Sequence, residues 1–277
     1  VAATVELRSG ADIRIHGKAI LAGEHSAVRG FPAIVAPLFS RSLTLTFHPA
    51  AEFTVAEGPF REPFTLAMKK AVEILGRPLP TADFRISSDI PPRAGLGSSA
   101  SLSVAIARYL LPEASFQELF RLALSLEDIF HGKSSGMDVA AALNAGPILF
   151  QKGKDPVALD DWRPHLYLTD TNLRSSTKAC VEQVVAMNRP DLDEKMAAAV
   201  MKMRSAFQCR DLAMLAEGMN SAEACFSDWN LIPESARAQA AELRAQGALA
   251  VKPTGSGNGG FLLSLWKNPQ DRLSLWS

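Results

Sequence analysis

The chain has 277 residues, 47% of them hydrophobic and 21% charged, enough to build one large domain or two modest ones sharing a cleft. Lys+Arg and Asp+Glu both number 29, so the formal net charge is zero, and no basic run is present; nucleic acid and an anionic membrane are not expected partners. Three widely spaced cysteines, Cys180, Cys209 and Cys225, offer neither a disulfide framework nor a CxxC metal pair, and no stretch approaches the ~20 apolar residues that span a bilayer. They read as reduced core thiols of a cytoplasmic protein.

In chain order, the first distinctive stretch is Ile13–His25, where Lys18 follows Gly17 inside an otherwise apolar, strand-like run. Such a lysine either reaches solvent from an edge or is a charge aimed into a cleft, and spacing alone supports both readings. Gly23-Glu24-His25 then sets an acid and an imidazole at a turn. Ser42–His48 alternates, which predicts a strand with Leu43, Leu45 and Phe47 on one face. Further strands are expected over Glu52–Glu57 and Asp83–Ser87, with a helix over Phe64–Leu75 between them.

The strongest signal is Pro91-Pro92-Arg93-Ala94-Gly95-Leu96-Gly97-Ser98-Ser99-Ala100-Ser101, which follows a strand and opens a helix over Ser98–Leu111. Two glycines let backbone N–H groups turn toward a ligand, and the helix start adds unpaired donors and a partial positive charge, so the segment suits phosphate oxygens. A plain serine-capped helix is the bland alternative. The run also matches a dinucleotide fingerprint at Gly95-x-Gly97-x-x-Ala100, but that reading needs a second strand ending in an acid about 20 residues on. Ser115–Phe130 reads instead as a helix, with Ser115 and Glu118 as a capping box. No Gly-Lys-Ser/Thr follows, which excludes a Walker A loop.

Glu127 lies near the end of that helix, and Asp138 opens the next, eleven residues later. Asp138 is either a helix-start acid favoured by the dipole or the second of two carboxylates sharing one pocket, one for metal and one for an acceptor hydroxyl. His131 before Gly132 reads as a turn residue, and no ligand spacing supports zinc. A strand over Pro147–Gln151 and a polar stretch, Lys152–Trp162, close the first half. The second half holds a strand (His165–Thr169), three or four helices between Ser175 and Gln246, and a strand pair (Ala248–Lys252, Gly260–Trp266) around a glycine-rich turn. Met196, Met201, Met203, Met214 and Met219 suit helix-core packing.

Taken together, GKAILAGEHSAVRGFPAIVAPL, PPRAGLGSSAS, EDIFHGKSSGMDVA and KPTGSGNGGFLLSL resemble, in the right order, the motifs of the GHMP kinases, and most closely those acting on mevalonate. The resemblance spans nearly the whole chain. It implies an α+β fold of two domains: an N-terminal domain like ribosomal protein S5 domain 2 over residues 1–155, and a ferredoxin-like C-terminal domain over 156–277. It further implies ATP as co-substrate and Mg²⁺ as cofactor. Pro92, Gly95, Leu96, Gly97, Ser98, Ser99, Ala100 and Ser101 would cradle the triphosphate, with Glu127 and Ser99 holding the metal. Asp138 would face the acceptor hydroxyl beside Lys18, either removing its proton or leaving Lys18 to stabilise the alkoxide. Glu24, His25, Gly255 and Ser256 would line the acceptor side, and a homodimer follows by analogy.

The resemblance has departures. His16 replaces a usual proline, Ser134 stands where a proline is frequent, and Ser256 and Asn258 interrupt a motif of small residues, placing the Asn258 side chain near the cleft. Phosphomevalonate is the alternative acceptor, whose extra phosphate would call on Arg93, Lys133 or Arg174. A catalytically inactive metabolite-binding relative is the remote alternative, against which intact Lys18, Glu127 and Asp138 argue.

Overall fold

The chain is described here by a computed structural model covering residues 12–92, 94–132 and 134–276. Two sheets organise it. The first contains β1 (Ile13–Ala22), β2 (Ala33–Pro49), β3 (Thr54–Val55), β4 (Ala82–Ser88), β5 (Ile148–Phe150) and β6 (Val157–Ala158), in the order β3-β4-β2-β5-β6 with β1 along the other edge of β2. The alternation read in the sequence holds: Leu43, Leu45 and Phe47 are buried on one face of β2 while Thr44 and Thr46 are not. α2 (Ser98–Leu110) packs on this sheet, α1 (Arg61–Leu75) and α3 (Phe116–His131) pack on α2, and α4 (Met137–Leu143) buries Met137, Ala140 and Ala141 against Ile20, Val35 and Ile148. α2 is the central helix, and its small residues explain why: every position except Ser98, Ser99 and Arg108 is buried, which a helix with bulky side chains all round would not permit. α3 begins with the expected capping box, in which the Ser115 hydroxyl accepts from the Glu118 N–H and the Glu118 carboxylate accepts from the Ser115 N–H.

The second sheet is antiparallel, in the order β10-β7-β9-β8, from β7 (His165–Asp170), β8 (Ala250–Thr254), β9 (Phe261–Trp266) and β10 (Leu273–Ser274). It packs with α5 (Thr177–Met187), α6 (Pro190–Cys209), α7 (Leu212–Asp228) and α8 (Glu234–Ala245). One connected set of buried apolar side chains runs from Ile15 through both sheets to Leu275, so the two lobes share a core. Sheet membership divides the chain between Ala158 and His165, a few residues past 155, because β6 hydrogen-bonds back onto β5.

Two expectations are corrected. Met201 lies on the outer face of α6 and is exposed, whereas Met196, Met203 and Met219 are fully buried. Cys209 ends α6 at the surface, while Cys180 and Cys225 are buried as expected; all three are free thiols.

Candidate active site

β1 delivers Lys18 to the junction of the lobes. Its ammonium is almost fully buried and sits 2.9 Å from Asp138 Oδ1 in the first turn of α4. The lysine stem lies against Gly97, where a Cβ would come within 2.7 Å of Lys18 Cγ and where φ is +81°. Both facts require glycine there. The backbone is stitched as well, since the Lys18 N–H donates to the Leu96 carbonyl at 2.9 Å.

Gly97 is also the N-cap of α2, and no side chain caps that end. The positive end of the helix dipole at this start suits an anion. Pro92 and Gly95 are exposed at the loop, Leu96 and Ala100 are buried beneath it, and Ser98 and Ser99 are half-buried at its rim. Ser99 Oγ donates to Glu127 Oε1 at 2.8 Å, joining the two residues expected to share a metal. Ser101 differs from the other serines: its buried hydroxyl bonds the His16 and Gly97 carbonyls, both at 3.0 Å, so it braces the loop against β1.

On the opposite side of Lys18, Gly23 makes a turn at φ +100° so tight that a Cβ would lie 2.5 Å from Ala33. This turn presents Glu24 and His25, both buried. Glu24 Oε1 is 2.5 Å from the ammonium of Lys252 on β8, and the side chains of this pair are 2% and 0% exposed. Burial pushes the Glu24 carboxyl above its usual range and the Lys252 amine below its own, while their mutual attraction opposes both shifts. Glu24 Oε2 has no hydrogen-bond partner among the described residues. His25 Nε2 lies 2.9 Å from the Ser256 carbonyl, which can only accept, so Nε2 carries the proton. Burial between Phe226 and Trp229 lowers the His25 pKa to about 4, leaving the ring neutral near pH 7.

Past Lys252, the Thr254 hydroxyl both accepts from the Ile20 N–H and donates to the Ile20 carbonyl, each at 3.0 Å. Gly255 then meets Gly95 closely: a Cβ added to either would be about 3.5–3.6 Å from the other's Cα. Asn258 adopts φ +55° and turns its amide toward Cys180 Sγ, 3.7 Å away. Behind this turn, Asp193 of α6 accepts from Ser26 Oγ at 2.8 Å and from Arg29, fastening the turn after His25 to the second lobe.

The geometry therefore gathers Lys18, Asp138, Glu24, His25, Glu127 and the 95–101 loop with Gly255 and Ser256 around one junction. Sequence reasoning overlooked Lys252, Thr254 and Asp193. Lys252 carried the same signal as Lys18, a lysine within an apolar strand, though its partner is remote in sequence. Arg174 is committed to a two-pronged pair with Asp170, both contacts 2.8 Å, which holds the Asp170 carboxyl below its ordinary range. Arg93 and Lys133 lie outside the described residues, as does the His131 side chain.

Residues 64–146, from α1 through α4, match the GHMP kinases N terminal domain family. The mevalonate kinase of Aeropyrum pernix is 30% identical over 94% of this chain and 90% of its own length, and that of Pyrococcus horikoshii 26% identical over 90% and 86%. The solved L. major mevalonate kinase, in complex with R-mevalonate, superposes with a TM-score of 0.81 at 26% identity, covering 95% of this chain and 89% of that one. Lactococcus lactis galactokinase, at 16% identity and a TM-score of 0.75, shares the fold. The family match and these relatives define an ATP-dependent kinase of the GHMP class acting on an alcohol. Within that class, the chain belongs to the mevalonate kinase family.

Proposed function

We propose that the chain transfers the γ-phosphoryl group of ATP to the primary hydroxyl of mevalonate, giving 5-phosphomevalonate. The observation that carries this reading is the Lys18–Asp138 pair, 2.9 Å apart, beside the uncapped N-terminus of α2. The 95–101 loop binds the triphosphate through backbone N–H groups and the Ser98 hydroxyl, with Ser99 turned to Glu127. Asp138 receives the acceptor's proton as the new O–P bond forms and the bond to ADP breaks. Lys18 orients Asp138 and offsets negative charge on the incoming oxygen and the γ-phosphoryl group. Transfer of this kind depends mainly on positioning and charge neutralisation, which these residues supply. Glu24, neutral His25 and the Gly255–Ser256 backbone border the acceptor.

Glu127 and Ser99 offer the all-oxygen donor set, one carboxylate and one hydroxyl, that suits Mg²⁺ retaining its waters. When bound there, the ion neutralises charge on the phosphates. A phosphorylated acceptor is less well served, because Arg174, the described cation considered for it, is spent on Asp170. We place the protein in the cytoplasm: its cysteines are free, and among the described residues no helix is long and apolar enough to cross a membrane.

The test is ADP release from Mg·ATP with mevalonate, phosphomevalonate, galactose and homoserine, for the wild type and Asp138→Asn. Turnover is expected with mevalonate and should fall about 10²–10⁴-fold in the variant with ATP affinity retained. A variant as fast as wild type would remove Asp138 from the chemistry.

A further inference from the structure

Among the described residues β1 pairs with β2 alone, and the strand is buried from Gly17 to Ala22 where it approaches β8 of the second lobe. Buried edge N–H and C=O groups need partners. The groups that serve its other edge come from two places, at alternate residues along the strand. At His16 the carbonyl accepts from Ser101 Oγ, and at Lys18 the N–H donates to the Leu96 carbonyl, both from the phosphate loop. At Ile20 both backbone groups are met by one hydroxyl, that of Thr254, at 3.0 Å each.

Lys18 is therefore suspended between two supports. On one side the phosphate loop grips the strand; on the other a single side chain from the second lobe meets both backbone groups of Ile20. Thr254 is buried, 2% exposed, and adjoins Gly255, whose backbone rests on Gly95. Its hydroxyl thus ties β1 and the glycine-rich turn into one frame around the lysine.

We propose that Thr254 is a positioning residue for phosphoryl transfer: its two hydrogen bonds to Ile20 set the depth at which β1 presents Lys18 to Asp138 and to the phosphate loop. This rests on the kinase reading above and goes beyond it, since Thr254 touches neither Lys18 nor Asp138 in the interactions described.

The experiment compares Thr254→Val, which keeps the shape and loses both bonds, with Thr254→Ser, which keeps the hydroxyl. Steady-state kinetics with Mg·ATP and mevalonate are run beside NMR hydrogen exchange of the Ile20 amide. Thr254→Val should lower kcat about 10-fold while the KM for ATP stays within about 2-fold, because misplacing a catalytic group slows the step without removing phosphate donors. Ile20 should exchange at least about 10-fold faster in that variant, and Thr254→Ser should restore both readouts to within about 3-fold of wild type. If Thr254→Val does not fold, Thr254→Ala replaces it with the same expectations. Unchanged kcat in a variant whose Ile20 exchange has risen would overturn the positioning role, and unchanged exchange would overturn the bridge itself. A serine variant no better than valine would also overturn the proposal. A wild type that leaves mevalonate untouched would sink the acceptor assignment, while the exchange comparison would still judge the bridge.

Discussion

Replacing Lys252 with Met removes the counter-charge of Glu24 at a place where the two side chains are 0% and 2% exposed. Methionine roughly fills the lysine stem's volume, so the expected loss is electrostatic rather than a cavity. Removing one partner of a buried pair costs about 3–5 kcal/mol, a large part of the roughly 5–15 kcal/mol that holds a typical protein folded. At about 2–4 °C per kcal/mol for chains approaching this size, Tm should drop on the order of 10 °C. The double variant Glu24→Gln/Lys252→Met removes both charges and should recover most of the loss, giving a coupling energy above about 2 kcal/mol in a double-mutant cycle.

The pH dependence of Lys252→Met follows from the direction of the Glu24 shift. Burial already raises that carboxyl's folded pKa, and loss of the ammonium raises it further. A raised acid favours the fold below its unfolded value, and this contribution is lost as pH rises through the folded value. The deficit of the variant should therefore be smaller at pH 5 than at pH 8. Urea unfolding at both pH values measures it. A penalty below about 1 kcal/mol at pH 8, or strictly additive single and double variants, would refute the argument.

The remaining expectations are independent of this pair. His25, with its pKa lowered to about 4, should contribute about 3 kcal/mol of stability above pH ~6.5 that is lost as pH falls toward 4, at ~1.4 kcal/mol per pKa unit. His25→Gln should flatten the fall of Tm between pH 7 and 4.5, and an unchanged slope would count against the buried neutral ring. Gly97→Ala, forced into φ +81° with its Cβ 2.7 Å from Lys18 Cγ, should cost at least 1–2 kcal/mol of stability and lower kcat about 10-fold or more. Wild-type kinetics in that variant would show that Lys18 does not rest where described.

What could be read from the chain was what is local. The 3.6-residue pattern located α1 to α3, and the Ser115–Glu118 pair marked a helix start that the structure reproduces. β6 and β10 escaped because two-residue strands have no period of their own and exist through tertiary pairing. Met201 and Cys209 were taken for core residues because composition cannot say which side of a long helix faces out. The motifs brought Lys18, Glu127 and Asp138 into view, but the partner of Glu24 lies 228 positions away and that of Ile20 lies 234 away. Such contacts are made by the docking of two lobes, and nothing in either segment alone announces them.

The near-complete burial of α2 has a thermodynamic consequence. A helix enclosed along its whole length, open only at Ser98 and Ser99 and at Arg108, holds its N-terminal donors in place before any phosphate arrives. Little chain entropy then remains to be lost at that end, and anion binding should carry a small heat-capacity change.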